Sequence, residues 1–311
     1  ALIILGECPC PWKGQRERLV NFNTPWLRKA FYILSPMAIV CIMVNAVLNG
    51  FQFTFSLVAM LQSASNFIAD RYSGNTASQI LAQLGYASMY TAAVVGGLIV
   101  NRKSKSLFFE RVFWLTFLPS ALLLIIEGNK GALPLVAAMF WGGMLVQKLK
   151  AGEKSLFGPG SLRQGVMLFA VAFPLILFSF MARGLYELND PLALFRALTR
   201  LFASYSSAHL YAFSDWFTFI SGGQATQNFT DTGVTGGFYT FMSIFRFMGD
   251  TRIIPAGVYD EYFQYGFFVQ TNIYTVFRGL ITDFGLGGAF IVNVVFGAII
   301  HFSFFGLLTK R

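Results

Sequence analysis

Apolar residues dominate six stretches of this chain, near 30–48, 84–100, 108–126, 131–147, 165–182 and 286–308. Each approaches the twenty or so residues that a helix needs to cross the hydrocarbon core of a bilayer. In hydrocarbon the backbone must satisfy its own N–H and C=O groups, so each run is expected to be a membrane helix. The third and fourth runs are joined only by "EGNKGA" and should form a tight hairpin.

Two of the intervening segments are long. One of about 35 residues lies near 49–83, and a much larger one, 183–285, joins the fifth and sixth runs. Segments of that length usually carry function. The larger one is rich in Phe, Tyr, Trp and Gly. Within it, "LALFRALTRLFASYSS" spaces apolar residues as a helix does, with Arg196 and Arg200 on the polar face. "GFYTFMSIFRFMG" does the same with Arg246. Both are expected to lie at a membrane surface.

Composition agrees with this pattern. Of 311 residues, 55% are apolar, 17% aromatic and 12% charged, with a mean hydropathy of +0.59. A soluble domain carries about twice that charge. The reading is an all-α, multi-pass membrane helix bundle forming one membrane domain over 1–311, with 183–285 as a large outer loop segment.

The net charge of +9 would suit nucleic acid, but its distribution points elsewhere. When the loops are assigned alternately to two sides, one side holds fifteen of the 23 Lys and Arg residues against four acids, and the other holds eight against ten. The bias matches the positive-inside rule at all six helices and makes both ends of the sequence cytoplasmic. No nucleic-acid partner is expected. The opening "ALIIL" reads as the tail of an earlier helix, so the sequence is expected to be the C-terminal part of a longer chain. Cys8 and Cys10 form a C-x-C with no second pair or nearby His, so no metal site is expected.

Cations on the outer side are nearly all arginine: Arg71, Arg183, Arg196, Arg200, Arg246, Arg252 and Arg278, with one lysine, Lys130. A guanidinium donates two parallel hydrogen bonds to phosphate, so a phosphate-bearing lipid fits; snorkelling or pairing with a nearby acid fits as well. Arg278 is the strongest candidate, because it lies near a helix start among glycines. Lys130, at the hairpin tip, either pairs with Glu127 or meets a head group. Asp283 is either a helix N-cap or a carboxylate that orients a hydroxyl or holds Arg278. Asp215, in "FSDWF", suits a sugar site or an interfacial aromatic belt. His209, in "SSAHLYAFSDWF", is a candidate proton carrier, and His301 reads as a packed histidine. The "DFG" at Asp283 lacks the rest of a kinase signature.

The segment "TNIYTVFRGLITDFGLGGAF" resembles the signature of bacterial oligosaccharide repeat unit polymerases, the Wzy-type O-antigen or capsule polymerases. Members carry T-N-x-Y-T, an aromatic and basic step, then D-F-G-x-x-G opening a membrane helix. "SSAHLYAFSDWF" and "GFYTFMSIFRFMG" are similar to two looser upstream blocks, and the match runs in order from Tyr205 to Phe290. The "EGNKGAL" hairpin departs from the G-x-R turn that members often carry, with Lys130 as its cation.

The resemblance implies a GT-C-like glycosyltransferase of the bacterial inner membrane, active at the periplasmic face. It would transfer a growing glycan from undecaprenyl pyrophosphate onto the next lipid-linked repeat unit, without a nucleotide sugar or other cofactor. It implies that Arg278 binds pyrophosphate, that Asp283 fixes its geometry or acts as base, and that Asp215 or His209 takes part in catalysis. Lys130, Arg196, Arg200, Arg246, Asn272 and Tyr274 would bind substrate. Partners would be the lipid-linked oligosaccharide, membrane lipids and a chain-length regulator. Two other classes fit: an O-antigen ligase or related transferase using the same donor, and a transporter of lipid-linked glycan. The scarcity of polar residues within the membrane runs weighs against transport.

Overall fold

The computed structural model describes residues 25–72, 79–100, 110–150, 161–182, 185, 188, 190–229, 233–248, 263–266, 269–271 and 274–309. Ten α-helices and one short β-hairpin are found among them: α1 (Pro25–Leu48), α2 (Leu57–Tyr72), α3 (Gln79–Ile99), α4 (Arg111–Glu127), α5 (Ala132–Lys150), α6 (Ser161–Met181), α7 (Pro191–Ala203), α8 (His209–Ile220), α9 (Met242–Phe247), β1 (Phe263–Tyr265), β2 (Val269–Thr271) and α10 (Val276–Thr309). A π-helical turn, Ser204–Ala208, joins α7 to α8. The strands pair antiparallel, with Gln264 opposite Gln270. The protein is mostly helical, as its hydropathy requires.

All six apolar runs are helical over most of their described residues. Three meet the length and hydropathy of a membrane span among the described residues: Pro25–Leu48, Ala132–Leu149 and Val276–Ser303. Two others fall short for visible reasons. Helix α4 has 17 residues and α3 carries Gln79, Gln83, Ser88 and Thr91; in α6 the fully described residues include the apolar stretch Leu168–Met181. Prolines lie inside α1, α4 and α6, a habit more common in membrane helices than in soluble ones.

The chain divides into two compact units. The first comprises Ala1–Asn45, Ser78–Leu124 and Asn129–Pro174. Its core gathers Phe31, Ala92 and Ile99 with Leu27, Leu34, Val95, Val112 and Leu115. There α3 and α5 approach backbone to backbone. A Cβ added at Gly97 would stand 2.0 Å from the Phe140 carbonyl oxygen, and one at Gly143 would stand 2.4 Å from that of Val94. Small residues at such crossings let membrane helices gain dispersion contacts that lipid cannot supply. Gln147 Nε2 then donates to the carbonyls of Leu98 and Val100 at 3.1 and 3.3 Å, closing the end of α3.

The second unit comprises Ala46–Ala77, Ile125–Gly128 and Leu175–Arg311. It contains the long segment 183–285, whose described residues include α7, the π-helical turn, α8, α9 and the hairpin. Asp190 caps α7 by accepting from the Leu192 N–H at 3.0 Å, with Pro191 in the first turn. Two features were not apparent from the sequence. Residues 49–83 contain α2, and α10 begins ten residues before the expected 286.

Candidate functional site

Arg278 lies in the first turn of α10, where its N–H donates to the Thr275 carbonyl at 3.1 Å. Its side chain is 3% exposed. Three rings enclose the guanidinium: Tyr274 at 4.0 Å, Trp216 at 5.2 Å and Phe229 at 5.6 Å from ring centre to Cζ. They come from the residues just before α10, from α8 and from the loop after α8. The same rings join Ala212 and Phe263 in one buried cluster. A desolvated cation over an aromatic face gains on the order of 2 kcal/mol, so the box is a setting in which a charged guanidinium can remain buried.

Asp215 holds one wall of that box. Just past the end of α8 stands Gly222, whose φ of 78° is the left-handed conformation that glycine adopts without a Cβ penalty. The N–H groups of Gly222 and Gly223 return to the carbonyls of Phe219 and Thr218 at 3.0 and 2.9 Å. The chain then folds back over α8. One Asp215 carboxylate oxygen accepts from the Thr226 N–H at 2.8 Å; the other accepts from the Thr226 hydroxyl at 2.9 Å and the Gln227 N–H at 3.1 Å. Gln227 Nε2 donates to the Gln264 carbonyl at 3.2 Å, fastening the loop to β1. Phe229 is thereby set against Phe219 and Tyr274.

Asp283 serves a second loop. It is fully buried. Its Oδ1 accepts from the Thr235 hydroxyl and, at 3.0 Å, from the Tyr239 N–H. Its Oδ2 accepts from the Thr240 N–H at 2.5 Å and the Thr240 hydroxyl at 2.6 Å. Four donors thus converge on one carboxylate and satisfy both of its oxygens. Two residues on, Gly285 breaks the helix, with φ 68° and ψ 174°, a conformation essentially confined to glycine. The break releases carbonyls that the same loop takes up. The Thr235 N–H donates to the Thr282 carbonyl and the Gly236 N–H to that of Asp283, each at 3.1 Å.

Asp283 therefore neither caps its own helix nor holds Arg278. Five residues of α-helix separate the two by about 140° around the axis, so Arg278 faces the aromatic box and Asp283 faces the Gly/Thr loop.

The structure brings Arg278, Asp215 and Tyr274 to one cluster, with Asp283 about one and a half turns along the same helix. His209 opens α8, six residues before Asp215; it is half-buried, and its side chain makes no hydrogen bond among the described residues. Arg196 is exposed and Arg200 half-buried on α7. Lys130 belongs to the first unit, at the tip of the α4–α5 hairpin, where Asn129 Nδ2 donates to the Tyr86 hydroxyl at 3.2 Å. Arg246 is on α9, with its side chain outside the described part, and Asn272 lies outside the described residues altogether.

Sequence reasoning assigned no role to Trp216, Phe229, Thr235, Tyr239 or Thr240. The available signal was "TGVTGGFYT", a Gly/Thr run able to supply both tight turns and hydroxyl donors. Among the described residues, no group of three or more His, Cys, Asp or Glu side chains is placed to hold a metal ion. The chain matches no protein-family model, no curated protein and no solved structure.

Proposed function

We propose that the protein polymerises undecaprenyl-pyrophosphate-linked oligosaccharide repeat units into O-antigen or capsular polysaccharide, at the periplasmic face of a bacterial inner membrane. The observation that carries this reading is the place of Arg278, a cation kept at the start of an apolar span within the segment that resembles the polymerase signature. In the proposal α3, α4 and α6 also cross the bilayer, giving six crossings in a GT-C-like arrangement. The prolines within α4 and α6 and the sidedness of the basic residues support those crossings.

In the reaction the attacking sugar hydroxyl of the acceptor displaces lipid pyrophosphate from the anomeric carbon of the donor. Negative charge grows on the leaving phosphate, and a preorganised guanidinium stabilises it. For Arg278 to reach the phosphate, the Phe229 ring on the 221–229 loop must move aside. Asp215 and Asp283 act by holding that loop and the 235–240 loop. His209 is the candidate acceptor for the hydroxyl proton.

The test is made in cells of the native host. Arg278→Ala, at normal protein level, should leave single repeat units and no long chains. Arg278→Lys keeps the charge but loses the two-pronged donor and should be intermediate. Wild-type chain length in Arg278→Ala cells would make Arg278 a structural residue and move the search to Lys130, Arg196 and Arg246.

A further inference from the structure

Helix α7 is apolar on two sides. Leu194, Leu198 and Leu201 are half-buried. Leu192 and Phe195 lie on another side of the helix and are 55% and 67% exposed, whereas Phe202 packs its ring edge-on against Phe180 at 5.1 Å. Beyond the π-helical turn the outward stripe continues as Leu210 and Tyr211, both 57% exposed. Arg196 is exposed on the flank of this stripe. Helix α7 has no acidic residue, and the carboxylate of Asp190, just ahead of it, is taken by the helix N-terminus.

The depth of the stripe follows from its attachment. Helix α8 continues from α7 and packs on the first turn of α10. The Phe213 ring lies 6.3 Å from that of Phe277, and Trp216 lies under Arg278. The first turn of α10 is the end of an apolar span, Val276–Ser303. A stripe fastened there sits at the bilayer surface, where acyl chains meet phosphates. Bulky apolar side chains suit the first layer, and a flanking arginine suits the second.

We propose that the outward face of α7 is a phospholipid-binding surface, with Leu192 and Phe195 among acyl chains and Arg196 on the phosphates of anionic lipid. The proposal rests on the span in α10 and is independent of any glycan chemistry.

The full chain, with Cys8, Cys10 and Cys41 replaced by serine, is reconstituted in phosphatidylcholine nanodiscs with a nitroxide on Phe195→Cys. Dissolved oxygen should relax the label more than a water-soluble nickel chelate does. Relaxation dominated by the chelate would overturn the membrane placement. In discs containing one quarter phosphatidylglycerol, native mass spectrometry should find that lipid enriched on the protein. One arginine near an anionic surface corresponds to roughly a fivefold effect, so Arg196→Gln should lower the enrichment about fivefold. Enrichment unchanged by Arg196→Gln, or absent from the parent, would overturn the phosphate contact. No glycan donor enters either measurement, so failure here and failure of the polymerase reading are separate results.

Discussion

Asp283 and Thr240, 43 residues apart in sequence, are joined twice: the Thr240 N–H and hydroxyl both donate to the same carboxylate oxygen, at 2.5 and 2.6 Å. With Thr235 and Tyr239 on the other oxygen, this carboxylate ties the Gly/Thr loop to α10.

Asp283→Asn should therefore act on stability before chemistry. The amide offers one acceptor oxygen and turns an NH2 group toward buried donors. Leaving such donors unsatisfied costs on the order of 3 kcal/mol. Thr240→Val, which removes only the hydroxyl, should cost about 1 kcal/mol. Thermal unfolding in detergent should rank wild type, Thr240→Val and Asp283→Asn in falling order. An Asp283→Asn protein as stable as wild type but inactive would instead argue for a direct chemical role.

Asp215→Ala should free the 221–229 loop. Three hydrogen bonds are lost at once, each worth about 1 kcal/mol. Amide hydrogen exchange at 224–229 should quicken by about tenfold or more, with α7 little changed. Unaltered exchange would show that Phe229 is held by its ring contacts alone.

The α3–α5 contact gives a paired test. Gly97→Ala drives a methyl group into the Phe140 carbonyl, whereas a Cβ at Gly142 meets nothing within 4 Å. Overpacking of this kind costs about 3 kcal/mol. Gly97→Ala should lower the melting temperature and the yield of monodisperse protein, and Gly142→Ala should leave both unchanged. Equal behaviour of the two would refute the close helix crossing.

The six crossings of the proposal would place Asn228 and Lys154 on opposite sides of the membrane. A cysteine introduced at Asn228 should react with an impermeant thiol reagent in intact spheroplasts, and one introduced at Lys154 only after lysis. Reaction of both from the same side would remove at least one crossing.

The sequence shows some of these features and hides others, for physical reasons. Helices α1, α5 and α10 were legible because an apolar run near twenty residues has few other uses. Helix α2 was not, since Gln62, Ser63, Ser65 and Asn66 interrupt its apolar spacing. Arg278 and Asp283 stood out as charges beside a membrane run, but their partners are non-local. Phe229 reaches Arg278 because a glycine turn reverses the chain, and Thr240 reaches Asp283 across 43 residues. The break at Gly285 was hidden too, because glycine is common in membrane helices without breaking them.

That break also bears on hydrophobic match. Unbroken, the 28 residues of Val276–Ser303 would extend about 42 Å at 1.5 Å per residue, well beyond a hydrocarbon core of roughly 30 Å. The stretch after Gly285, 286–303, is about 27 Å long, within the thickness a bilayer accommodates by small adjustments. The 235–236 loop, by taking up the carbonyls freed at the break, acts as a measuring stop. In the proposed bilayer it would mark where the rod in the hydrocarbon ends and would keep the turns carrying Arg278 in the interfacial layer.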